Sequence, residues 1–287
     1  MESHNIVVCM KAEINKKVTS LAKINEISIF RAMESSINSK SKSIFVEETH
    51  SWAGFVEYNS PNCPVPVVKE IADLMIVSHN PRNKENRLCF LQAKYHQKRI
   101  SPFLKFRGDF YQWELLNIRP IIKNAGKSNF PKDILSFTNF KSISSFGIFY
   151  HDSNSKIDML YSIPDLLSPT SIKTHKKRPS TTLVFPGYKK CPISGGYTIL
   201  NQNEIQTTCD LDMFEKLLLS GIVGAPINGV RNVEDYLYNA INKIQMTNDY
   251  DLLVDILNSF ESKEKSDLNK FDVPNILFVK TNEEFKL

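Results

Sequence analysis

IADLMIVSHNPRNKENRLCFLQAKY, residues 71–95, is the stretch on which the fold turns. Two apolar, β-branched runs, 71–77 and 88–95, flank the polar segment SHNPRNKENR, which is rich in turn formers. That pattern predicts a β-hairpin with a long loop. Side chains on a strand alternate between faces, so Ile71, Asp73, Met75 and Val77 share one face of the first strand. Leu88, Phe90, Gln92 and Lys94 share a face of the second. If Val77 lies opposite Leu88, Met75 meets Phe90 and Asp73 meets Gln92. An acid, a carboxamide and an ammonium then gather at the end of the hairpin away from its loop, within cross-strand reach. Groups of this kind are costly among apolar neighbours unless they pair or hold a cation.

Working outward, residues 21–38 recur at helical spacing with Ile27, Phe30 and Ile37 on one stripe, and the polar run 39–43 ends the helix. Strands are expected at 44–46 and 54–58. Pro61, Pro64 and Pro66 follow in a connection that can continue neither a helix nor a central strand. On the other side, Phe106, Phe110 and Trp113 stand at helical intervals, which predicts a helix over 106–118 that stops before Pro120. A weaker strand pair is expected at 145–150 and 156–161. Pro164, Pro169, Pro179 and Pro186 then interrupt the pattern, and a boundary near residues 162–180 follows. Beyond Thr208 the periodicity predicts helices at 211–222, 233–244 and 250–260 and a last strand at 275–280.

Two units are therefore expected: an α/β domain over 1–164 and a mainly helical lobe, regulatory or for assembly, over 165–287. The lobe's helices carry Leu217, Leu218 and Leu219, then Tyr236, Leu237 and Ile241, then Leu252, Leu253 and Leu257. This is more apolar surface than one helix needs to bury against its neighbours. Residues 210–262 are accordingly expected to meet another subunit, in a homo-oligomer or a larger complex.

Composition sets looser bounds. Of 287 residues 41% are hydrophobic, enough for a sizeable core, and 36 Lys and Arg against 31 Asp and Glu leave a net charge of +5. A bias that small suits a polyanionic partner without arguing for one. The cysteines Cys9, Cys63, Cys89, Cys191 and Cys209 are scattered and lack metal-ligand spacing, which points to a reducing compartment without structural zinc. The first residues, MESHNIVVCMKAE, lack the basic start and long apolar run of a leader or membrane span. A soluble, cytoplasmic protein without membrane association is expected.

The chemistry available to the hairpin is specific. Asp73 and the Gln92 oxygen can hold a hard divalent cation that keeps most of its waters, and Lys94 can orient water or neutralise developing charge. Ala72-Asp73 followed by Gln92-Ala93-Lys94 resembles the split motif of the PD-(D/E)XK, or restriction-endonuclease-like, nucleases. The resemblance covers roughly residues 20–120 and, more loosely, up to Tyr161. It implies a mixed sheet flanked by helices, Mg²⁺ or Mn²⁺ as cofactor and DNA as substrate. It also implies Asp73 as the metal-binding acid, Gln92 as second ligand and Lys94 as the catalytic lysine.

The chain departs from the motif twice. Ala72 replaces the proline that names it, and Gln92 replaces a carboxylate, which removes one negative charge from the site. Glu34, on the stripe of Ile27, Phe30 and Ile37, is the preferred residue to restore that charge, with Glu47, Glu48 and Glu57 as alternatives. Gln112 and Tyr111 lie on the following helix, where related nucleases place residues that contact substrate or support the lysine. His96, Lys98 and Arg99 extend from Lys94 as candidate phosphate contacts, and Lys173, His175, Lys176, Lys177 and Arg178 form a second basic cluster. Glycines at 194–196 and 221–224 lack a phosphate loop's lysine and read as turns. Trp52 and Trp113 read as core or interface anchors.

The organisation further resembles effector nucleases of bacterial anti-phage systems, including Lamassu-type nuclease subunits that act beside structural-maintenance-like ATPases. A nuclease-fold subunit that lost its chemistry with Gln92, and serves in binding or assembly, is the alternative.

Overall fold

The computed structural model describes residues 9–18, 24–47, 53–96, 105–127, 129–170, 180–184, 208–245, 251–265 and 272–281. Strands β4 (Leu74–His79) and β5 (Asn86–His96) form the hairpin, antiparallel, with Val77 opposite Leu88 and Met75 opposite Phe90. The expected register is therefore the observed one. β4 is shorter than the apolar run 71–77, since its ladder begins only at Leu74.

The hairpin lies inside a mixed sheet. β1 (Ser43–Val46), β13 (Ile276–Lys280), β4, β5, β8 (Ser144–His151) and β9 (Ile157–Ser162) follow in that order across it. β13 runs parallel to β4, and β8 runs parallel to β5 over Phe90–His96. Above that stretch the two-residue β12 (Ala225–Pro226) pairs with Arg87 and Leu88. Gly224, just before it, has φ +88°, and a Cβ there would stand 2.5 Å from the Leu88 carbonyl oxygen, so the close approach requires glycine.

Alternation along β4 and β5 sorts two cores. Leu74, Ile76, Cys89, Leu91 and Ala93 face α1 (Met10–Val18), α2 (Glu26–Asn38) and α4 (Leu211–Leu219). Met75, Val77, Leu88 and Phe90 face α5 (Arg231–Gln245), α6 (Asp251–Ser259) and a small sheet. That sheet comprises β3 (Val67–Glu70), β2 (Phe55–Tyr58) and β7 (Lys123–Asn124). β3 follows Pro66 directly: the prolines precede the strand and deprive its ladder of nothing.

The expected helix over 106–118 divides. Lys105–Asp109 is a strand, β6, with Phe106 and Gly108 buried and Lys105 and Arg107 exposed. Only Phe110–Ile118 is helical, as α3. Asp109 causes the change, because its side chain accepts from the backbone N–H of Tyr111 and Gln112 and so caps the helix. β6 pairs with β11 (Ser180–Val184), which pairs with β10 (Ser168–Pro169). Phe106, Leu183, Phe146, Leu116 and Leu160 close a third core between this sheet and the main one.

The division at 164/165 is corrected by these pairings. β10 and β11 complete a sheet begun by β6, and β13 sits between β1 and β4, so residues after 165 build the same body as those before. The helices do form as their periodicity predicts. Their apolar faces are spent inside the chain: Leu217, Leu218, Leu219, Leu237, Ile241, Leu252 and Leu253 are all buried, and Leu257 packs against the core. Among the described residues of 210–262, Val254 is the large apolar side chain left exposed. Among the described residues no helix is long and apolar enough to cross a membrane.

Candidate active site

Asp73 and Gln92 are adjacent because Leu74 pairs with Leu91, which brings the next residues of the two strands face to face. Asp73 Oδ2 accepts from the Gln92 side-chain amide and, at 2.7 Å, from the Ala93 backbone N–H. Lys94 Nζ stands 3.5 Å from the same oxygen. Oδ1 is left without a donor among the described residues, on a side chain that keeps 22% of its surface exposed. Burial pushes the Asp73 carboxyl up from 3.8 to about 6; Lys94 and the Ala93 N–H pull it down, and the charge of Glu26 pushes it up again. A carboxylate so desolvated favours any cation that can reach it.

α3 supplies the next member. Gln112 donates through Nε2 to Gln92 Oε1 and to the Glu70 backbone oxygen, the latter at 3.3 Å. The helix is held in place from below: Tyr58 donates to the Tyr111 carbonyl at 2.7 Å and to Glu114 at 2.9 Å, and Asn62 donates to Glu114. Lys69 pairs with Asp109 at the helix start and lies 6.0 Å from the Tyr111 ring centroid. The Asp73 backbone is fixed from β13: Asn275 donates to its carbonyl at 3.0 Å, and the Met75 N–H donates to the Asn275 carbonyl at 2.9 Å.

Asp73, Gln92, Lys94 and Gln112 thus meet as the sequence suggests. Glu34 does not join them. Its carboxylate accepts the Phe45 N–H at 3.0 Å. Phe45 pairs with Leu277 and Leu277 with Ile76, so this contact lies two strands sideways and three residues along, about 10 Å in each direction, from Asp73. Helix periodicity identified the helix but not the residue, and the carboxylate whose field reaches Asp73 is Glu26, in the first turn of α2. Glu57 pairs with Lys123, and Glu47 with Arg31.

His96 ends β5 with its ring edge-on to Phe106, centroids 6.1 Å apart, and burial lowers its pKa. Trp113 is an anchor, its Nε1 donating to the Pro164 carbonyl at 3.2 Å. Lys98, Arg99, Glu48, Trp52 and the cluster Lys173, His175, Lys176, Lys177 and Arg178 lie outside the described residues. Asn275 and Glu26 carry no signal in the sequence that ties them to the hairpin: Asn275 opens an expected strand some two hundred residues away whose partner the sequence does not name, and Glu26 belongs to no motif.

The donor set can be tested against a divalent cation. Among the described residues no three His, Cys, Asp or Glu side chains converge on one point. Mg²⁺ needs less, since it commonly binds through one or two carboxylates, its own waters and substrate phosphate. Asp73 Oδ1 meets that minimum, with Lys94 on the opposite oxygen. The residues fit a cation held jointly with a phosphate, and not a protein-enclosed metal. No protein-family model, curated protein or solved structure matches the chain.

Proposed function

We propose that the chain is a metal-dependent endonuclease of restriction-endonuclease-like fold that hydrolyses phosphodiester bonds in DNA. The observation that supports this best is the meeting of a desolvated acid, Asp73, with Lys94 at 3.5 Å and Gln92 on the neighbouring strand, while one acid oxygen has no donor among the described residues. That oxygen gives an arriving cation a point of entry beside the lysine. Bound Mg²⁺ or Mn²⁺ would polarise the scissile phosphate and acidify a water. Asp73 would hold that cation through Oδ1, while the Ala93 N–H and the Gln92 amide hold Oδ2 still. Lys94 brings positive charge to where the pentavalent phosphate gathers negative charge.

The test is cleavage of supercoiled plasmid and of single strands with Mg²⁺ or Mn²⁺, by the wild type and by Lys94→Ala. Activity should be lost in the variant with its circular dichroism unchanged, since Lys94 sits at a half-exposed strand end. Equal cleavage by both proteins removes the reading.

The further proposal, an anti-phage effector working in a complex beside a structural-maintenance-like ATPase, is supported by the sequence resemblance alone. Phage plating on cells carrying the wild type or Lys94→Ala with its neighbouring genes tests it; equal plating on both sinks it. The second reading is a subunit that binds nucleic acid without cutting it. The Gln92 oxygen, turned away from Asp73 toward Gln112, favours that reading. Retarded migration of DNA without cleavage at any cation concentration would select it.

A further inference from the structure

Asp73 Oδ2 and the Glu70 backbone carbonyl are both acceptors, and two primary carboxamides, Gln92 and Gln112, lie in line between them. Each amide has one donating and one accepting end. An ionised carboxylate and a carbonyl can face only amino groups. Gln112 gives its amino group to Glu70 and to Gln92 together, using both hydrogens. Gln92 must then present its oxygen to Gln112 and its amino group to Asp73, which is the observed arrangement.

Reversing Gln92 alone sets oxygen against the Asp73 oxygen and amino group against amino group. Reversing both relieves the contact between the two amides but leaves oxygen against oxygen at Asp73 and adds the same conflict at Glu70. Only one orientation leaves every contact favourable, and Gln92 is fully buried, so solvent cannot relieve the others.

From this we infer that Gln112 is a positioning residue that locks the Gln92 carboxamide as a donor to Asp73 and withholds its oxygen from a cation. The inference rests on the proposed site and deepens it. The site holds a cation through one protein oxygen, and so depends on the phosphate of bound substrate to complete the shell. Idle cation binding without substrate is thereby kept weak.

The experiment needs no turnover. Neutron diffraction from perdeuterated wild-type crystals locates the deuterons of both amides, and water-proton relaxation measures Mn²⁺ affinity of the wild type, Gln112→Leu and Gln92→Met. The lock requires Gln92 deuterons toward Asp73 and Gln112 deuterons toward Gln92 and Glu70. Gln112→Leu removes the contact that opposes the turn on one side, and an arriving Mn²⁺ offsets the Asp73 oxygen on the other, so this variant should bind Mn²⁺ about tenfold more tightly or better, the scale of one opposed buried contact. Gln92→Met, which removes an oxygen that was not a ligand, should bind no more than severalfold differently from the wild type.

A map with the Gln92 oxygen on Asp73, or wild-type affinity in Gln112→Leu, overturns the inference even if the wild type cleaves DNA. The predicted map and the predicted Mn²⁺ affinities, with no cleavage of plasmid or single strands by the wild type at any Mn²⁺ concentration, leave the lock standing and remove the nuclease reading instead.

Discussion

Asp73 works against the fold that carries it. A folded-state pKa of about 6 against 3.8 means the protonated form is favoured on folding. Below pH 4 the acid is neutral in both states and costs nothing. The penalty grows as pH rises from 4 to 6 and is complete above 6, at roughly 3 kcal/mol, a figure in which the pull of Lys94 is already counted. Asp73→Asn should therefore raise the unfolding free energy measured in urea at pH 7–8, by about 1–3 kcal/mol, with no gain at pH 3.5. A gain independent of pH, or a loss at pH 8, contradicts this account of the acid. Cleavage at sub-saturating cation should fall about tenfold per pH unit below 6, because the ion needs the ionised acid. A profile flat down to pH 5 would place the ionisation elsewhere.

The second scale is that of strand and helix, and there α3 carries the tightest demand, since its first turn sets where Gln112 points. Asp109 holds that turn twice, accepting the N–H groups of Tyr111 and Gln112 and pairing with Lys69. Asp109→Ala should cost about 1–2 kcal/mol by urea unfolding, and Asp109→Asn, which keeps the cap and loses the charge, should recover most of it. Equal losses in both variants would assign the effect to the ion pair. This helix also marks where reading the sequence stops working. Phe106, Phe110 and Trp113 satisfy a helical period, but the same residues satisfy a strand that ends in a capped helix, and the partner that decides, β11, lies some seventy residues on. Elements whose neighbours are local were legible: the β4–β5 register, the β8–β9 pair and all three helices after Thr208. The Asp73–Gln92–Lys94 grouping was legible because alternation on two adjacent strands fixes it. Glu26 and Asn275 were not, because their place follows from packing and not from period.

At the scale of the whole molecule, the last described segment is the one that makes the site possible. β13 separates β1 from β4 and pairs with both, Val279 with Ser43 on one side and with Ser78 on the other. Ile276, Leu277, Phe278 and Val279 are fully buried, and alternate between the two cores. An internal strand, antiparallel to β1 and parallel to β4, cannot be removed and the gap closed, because β1 and β4 would meet with their ladders and side-chain layers unmatched. Asn275 then adds its hydrogen bond to the Asp73 carbonyl. A chain ending at residue 271 should therefore fail to fold cooperatively, with a broad thermal transition by circular dichroism and rapid proteolysis of the β4–β5 hairpin. Asn275→Ala should fold, lose about 1 kcal/mol, and lower cation affinity by loosening Asp73. The two variants together separate the two roles. If the truncated chain instead melts sharply within a few degrees of the full one, the segment is an appendage to a domain complete without it. Asp73 would then owe its position to the hairpin alone.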